Sequence, residues 1–307
     1  MNLLASRFYN FFGLEFEFDN VAFYIGDKGI YWYGIIISLG FILALIYCSV
    51  RAPKLNVDKD KMIDVVIVGL IASIIGARLY YVLFDWLGGN PYNSFLDVIA
   101  IWDGGIAIYG GFIFAIVFGG IMCKVKKIHL LDMFDLAVMG FFIGQGLGRW
   151  GNFINQEVYG RETGSAWFGI GVEPNTSVLV QPLFLYESLL CLLGFLLLHF
   201  VSKRRQFKGQ LFSLYLIWYC SGRFILEGMR DTTYILKLGP FAASQIVSIL
   251  LFALGVTLYI VFSKKYSLKA EGEYESIYIG DEQEEQETAE LTELTEETEE
   301  TEETEEE

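Results

Sequence analysis

Apolar residues fall into long uninterrupted runs near 30–50, 62–85, 105–123, 130–148, 182–201, 211–229 and 242–262, separated by short polar stretches. At 1.5 Å of rise per residue, a helix needs ~20 apolar residues to cross ~30 Å of hydrocarbon. The pattern therefore predicts an all-α integral membrane protein of about seven transmembrane helices, in one body spanning 30–262. Seven crossings place the two ends of the body on opposite sides of the bilayer. The longest gap, 149–181, mixes Gly, Trp, Phe, Glu and Pro without a clear period, which predicts a small extracytoplasmic cap. Residues 1–29 form an external N-terminal segment. In it Leu4, Phe8, Phe11 and Phe12 follow a rough helical stripe, the mark of an interfacial amphipathic segment, with a loop lying over the protein as the other reading. The segment lacks the basic start and cleavage site of a signal peptide.

Composition supports lipid as the main solvent, since 54% of the 307 residues are hydrophobic and 16% aromatic. The net charge of -15 changes the picture only for the tail. Residues 271–307 hold nineteen acids and no base, whereas 1–270 hold eighteen acids against twenty-two bases. The segment 263–307 thus reads as a tail that is acidic and disordered from about 271, where a TEE repeat replaces apolar residues. A solvated spacer and contact with a basic partner are both compatible with it. The single cysteines Cys48, Cys123, Cys191 and Cys220 lie inside apolar runs and read as packing residues rather than as disulfide or zinc ligands.

Lys and Arg alternate between gaps. Fourteen fall on the side of Lys54, Lys126, Arg204 and Lys264, and six on the side of Arg149 and Arg161. The positive-inside rule then predicts an external N-terminus and a cytoplasmic C-terminus. On that topology Tyr33, Arg78, Tyr109, Arg149, Asn152, Asn155, Glu157, Tyr186, Glu187, Arg223, Glu227 and Arg230 converge on the outer half, and no similar layer is expected in the inner half. Ionisable residues in membrane helices are costly and signal function. Arg–Glu pairs can staple helices, but Arg78, Arg149, Arg223 and Arg230 carry more positive charge than a staple needs, and arginine forks match phosphate oxygens. An anionic group such as a phospholipid head is the expected occupant. Gly140, Gly144 and Gly148 recur every four residues and predict a groove for close helix packing.

The run GRWGNFINQEVYG at 148–160 resembles the signature of the bacterial prolipoprotein diacylglyceryl transferases. So do Trp32-Tyr33-Gly34, Gly76-Ala77-Arg78, IWDGGIAIYGG at 101–111, QPLFLYESL at 181–189 and GRFILEGMRD at 222–231, all in the family's order. The resemblance covers roughly 30–262. It implies transfer of the diacylglyceryl group of phosphatidylglycerol to the lipobox cysteine of a prolipoprotein signal peptide, with release of glycerol phosphate. This would occur at the outer leaflet of the cytoplasmic membrane, amid membrane lipids, without metal, cofactor or nucleic acid. It assigns Arg149 to the lipid phosphate, backed by Arg223. Asn152, Arg78 and Arg230 are assigned to lipid binding, Glu157 and Asn152 to orienting the head group, and Tyr33 to donation toward phosphate. Many members carry a histidine in the third-span Gly-Gly block, where this chain has Tyr109. The only histidines, His129 and His199, fall at the opposite ends of their spans. Tyr109 is thereby a candidate catalytic residue, although a hydroxyl with an ordinary pKa of ~10 is a poor base at neutral pH unless the arginines lower it, and hydrogen bonding is its other role. Either Glu157 takes the thiol proton or the positive field lowers the thiol's own pKa. A transporter is the competing class; it expects polar groups through the full thickness or broken helices at the midplane. A non-catalytic lipid-binding scaffold would keep the arginines without needing the whole 148–160 run.

Overall fold

The computed structural model describes residues 6–268, apart from 91, 93, 166, 173, 174, 236, 239 and 240. The acidic tail from about 271 lies outside the described residues.

The chain begins with two hairpins, β1 (Ser6–Phe11) with β2 (Leu14–Asp19) and β3 (Val21–Ile25) with β4 (Lys28–Tyr31). Helices α1 (Trp32–Arg51) and α2 (Lys59–Leu87) follow, then a short α3 (Phe95–Ile99), α4 (Ile108–Val125) and α5 (Leu130–Asn155). Strands β5 (Ile170–Val172) and β6 (Asn175–Val180) precede α6 (Leu183–Ser202) and α7 (Gln210–Met229). A small hairpin, β7 (Lys237–Leu238) and β8 (Phe241–Ala242), leads into α8 (Ala243–Lys265).

Among the described residues, six helices (α1, α2, α4, α5, α6 and α8) are long and apolar enough to cross a membrane. Helix α7 matches α1 in length, with 20 residues, and packs against α5, α6 and α8, but its polar and charged positions set it apart from those six. Large apolar side chains point outward, as on α8 at Val247, Ile249, Leu250 and Leu254, which inverts the arrangement of a water-soluble protein and suits a lipid surround.

Small residues let the helices approach. A Cβ on Gly76 of α2 would fall within the Phe114 side chain of α4, and one on Gly110 of α4 would meet the Gly76 carbonyl. Gly40 of α1 sits opposite Gly144 of α5, where an added Cβ would lie 3.6 Å from the Gly144 Cα. The expected glycine groove thus serves the α1–α5 contact.

Two stretches differ from the hydropathy reading. Helix α5 runs on to Asn155, so Arg149 and Asn152 are helical and not part of a cap loop. Residues 6–19 form strands rather than a helix, because Asn10 and Phe11 of β1 pair with Gly171 and Ile170. The resulting antiparallel sheet, β2-β1-β5-β6, builds the cap from two distant stretches of chain. Phe11 anchors it against Phe153 and Phe184, whose rings stack 4.6 Å apart where α5 ends and α6 begins.

A second polar layer exists at the opposite end of the bundle, contrary to expectation. Arg205 bridges Asp132 at 2.8 Å and Asp135 at 3.1 Å, and Asp135 also accepts from the Gly209 and Phe212 amides. Arg51 donates to Ser202 at 2.7 Å, and Tyr47 and His199 share a 2.8 Å hydrogen bond. The basic residues counted as loop charges here are partly buried staples: Arg51 and Arg205 are 7% and 2% exposed. Apolar residues including Leu136, Met139 and Phe142 separate the two layers.

Candidate active site

The motif run follows the last turns of α5 into a strained bend. Gln156 and Val158 both adopt left-handed backbone, with φ of 52° and 59°. That conformation is unfavourable for any residue with a side chain and worst for a β-branched one. The bend turns Glu157 back over the helix end: its amide donates to the Asn152 carbonyl at 3.0 Å, and its Oε1 accepts from Asn152 Nδ2 at 2.9 Å and Asn155 Nδ2 at 3.4 Å. Beyond the bend, Gly160 pairs with Arg230 and its amide donates to the Gln181 carbonyl, stitching the run to the end of α7 and the start of α6.

Around this bend the charged residues alternate in sign. Arg149 Nε lies 2.5 Å from Glu187 Oε2, and Arg223 Nη1 lies 2.8 Å from Glu187 Oε1. Arg223 Nη2 then reaches Glu227 Oε2 at 2.7 Å, and Arg230 Nη1 shares that oxygen at 3.4 Å. Arg149 Nη1 donates to Asn152 Oδ1 at 3.4 Å, which joins the chain to Glu157. Glu187 is only 4% exposed, so the carboxylate that ties α5 to α7 is held in a water-poor place.

A cleft of about 620 Å³ opens beside this network. Tyr33, Arg149 and Asn152 line its mouth, Gln145 lies part-way in, and the rest is almost wholly apolar side chains of α1 and α5. Gly151 positions Tyr33: a Cβ there would lie 2.5 Å from the tyrosine Cδ2. Of the residues singled out from sequence, Tyr33, Arg149 and Asn152 meet at the mouth, while Glu157, Arg223 and Arg230 stand behind them.

Two do not join them. Tyr109, at the start of α4, is 75% exposed and does not line the cleft, although its neighbour Ile108 does. Arg78 is 8% exposed and serves the loop around α3, donating to the carbonyls of Asp97, Val98, Gly104 and Gly105 at 2.5 to 2.9 Å. Glu187 carried a sequence signal, an acid inside a span, but not its place at the centre of the network.

This is a helical membrane protein with a polar mouth, lined by Tyr33, Arg149 and Asn152, over an apolar cleft. The profile of the prolipoprotein diacylglyceryl transferases matches residues 20–261, and the chain belongs to that family. It is 41% identical over 251 residues to the phosphatidylglycerol–prolipoprotein diacylglyceryl transferase of Listeria welshimeri, covering 79% of this chain and 89% of that one. Similar matches are found with the enzymes of that name from Finegoldia magna, 42% identical over 250 residues (80% and 97% covered), and from Lactococcus lactis subsp. cremoris, 40% over 248 residues (79% and 94% covered).

Proposed function

We propose that the chain transfers the diacylglyceryl group of phosphatidylglycerol to the lipobox cysteine thiol of prolipoproteins. The observation that carries this is the placement of Arg149 and Asn152 at the mouth of an apolar cleft. A phospholipid needs both, an arginine and an amide for the phosphate and an apolar surface for the chains.

In the reaction, the cysteine sulfur attacks the glyceryl carbon that bears the phosphate. A C–S bond forms, the C–O bond breaks, and the electron pair leaves on the phosphate oxygen of glycerol phosphate. Arg149, held by Glu187 and Asn152, meets the charge that develops there, and Tyr33 donates from the cleft's other lip. Arg223 and Arg230, tied through Glu187 and Glu227, keep that arginine oriented. Glu157, bonded to the cleft-lining Asn152, is the carboxylate to which we assign the thiol proton. The excess of Lys and Arg in the gaps at the far end supports a cytoplasmic C-terminus, seven crossings with α7 as the sixth, and a site toward the outer leaflet.

The test supplies purified protein with phosphatidylglycerol and a lipobox peptide, and follows both products. Glycerol phosphate and thioether-linked peptide appear together with the cysteine peptide and not with its serine counterpart. Glycerol phosphate release without peptide modification would point to a lipase instead.

A further inference from the structure

The cleft is far deeper than a head group requires. Along α5 its lining runs from Asn152 through Arg149, Gly148, Gln145, Gly144, Gly140 and Leu136 to Met133. The helix rise from Met133 to Asn152 corresponds to ~28 Å of depth, against ~15 Å of hydrocarbon in one leaflet. The opposite wall is the face of α1 from Tyr33 to Cys48, and Met62 and Val66 of α2 close the far end. Polar side chains stop at Gln145; below it the lining is apolar.

The wall is not uniform in width. Gly140 packs against Cys48, since a Cβ there would lie 2.9 Å from the sulfur, and a Cβ on Gly148 would lie 3.1 Å from Ile37 Cδ1. A Cβ on Gly144, between them, would meet nothing within 4 Å. Gly144 therefore opens onto the cleft about 12 Å below Asn152 by helix rise. The floor includes two methionines, Met62 and Met133, whose unbranched side chains adapt to the end of a chain.

We infer that this cleft is an acyl-chain gauge: Gly144 is the passage, Met133 and Met62 are the floor, and together they set which chain lengths of the lipid donor are transferred efficiently. The inference rests on the reading of phosphatidylglycerol as donor. A side chain at 144 would plug the well part-way down, shutting out long chains while leaving room for short ones. Shortening Met133 would lower the floor and favour longer chains. Neither residue touches the arginine network, so both act on the chain and not on the phosphate.

The test measures kcat/KM with dioctanoyl, dimyristoyl, dipalmitoyl and distearoyl phosphatidylglycerol in mixed micelles, using full-length protein and one lipobox peptide. The readout is the dipalmitoyl to dioctanoyl ratio, which is internal to each preparation and insensitive to the fraction folded. Gly144→Leu should lower it at least tenfold, in the range of discrimination by methylene fit. Met133→Ala should move the preference the other way, raising distearoyl relative to dimyristoyl. An unchanged chain profile in both variants, including a uniform fall in all activities, overturns the gauge and leaves the transferase reading standing. Wild-type protein that transfers no lipid of any length overturns both.

Discussion

Glu187 offers the sharpest test of the charge network. Its two oxygens engage Arg149 at 2.5 Å and Arg223 at 2.8 Å, and its side chain is 6% exposed. Glu187→Gln keeps the shape but removes the negative charge between two guanidinium groups. Removing one partner of a buried pair costs ~3–5 kcal/mol, because the remaining charge is left uncompensated. The arginines keep 24% and 17% of their side-chain exposure, so water screens part of the repulsion, and about 3 kcal/mol is the appropriate end of that range. The thermal midpoint in detergent should fall by several degrees and transfer activity should drop with it. Adding Arg223→Gln removes one of the two repelling charges. The double variant should recover part of the lost stability, with a coupling of at least ~1 kcal/mol. A Glu187→Gln protein as stable and as active as wild type would refute the claim that this carboxylate holds Arg149 in place.

Other substitutions separate the site from its surroundings. Tyr109→Phe should retain activity within about twofold, because that hydroxyl lies outside the cleft; a hundredfold loss, typical of a general acid or base, would restore it to the mechanism. Arg78→Ala removes the donor to four carbonyls around α3 and should expose residues 88–107 to limited proteolysis. Arg78→Lys should rescue little, since one ammonium cannot reproduce the guanidinium fork. Gly151→Ala should push the Tyr33 ring from the cleft mouth and lower kcat while leaving the thermal midpoint within a few degrees of wild type; unchanged kinetics would argue against a role for Tyr33.

Hydropathy made the helices legible because each crossing leaves a long apolar run, and α1, α6 and α8 begin and end within a few residues of those runs. The cap was harder. The pairing of β1 with β5 joins residues some 160 positions apart, and local periodicity carries no trace of such a partner. The end of α5 was misplaced because Arg149 and Asn152 look like loop residues to a hydropathy scale, although they are helical and face the cleft. Charge counting by depth found Arg149, Asn152 and Glu157 together but overstated the free positive charge. Arg149, Arg223 and Arg230 share the carboxylates of Glu187 and Glu227, and Arg78 is spent on backbone carbonyls. The same counting missed the staple at the far end, where Arg205 meets Asp132 and Asp135, because loop bases were assumed to face water. The absence of an inner polar layer therefore no longer argues against a transporter. Family membership and the apolar band of Leu136, Met139 and Phe142 between the layers do so instead.

The central claim is that Arg149 meets the phosphate of the lipid donor. The measurement is transfer of a labelled diacylglyceryl group from phosphatidylglycerol to the cysteine of a lipobox peptide, comparing wild type, Arg149→Lys and Arg149→Ala at equal folded protein. Wild type should label the cysteine, and Arg149→Ala should lower labelling about a hundredfold or more, the scale set by losing a donor aimed at developing charge. Arg149→Lys should recover only part. Equal labelling by wild type and Arg149→Ala would contradict the claim.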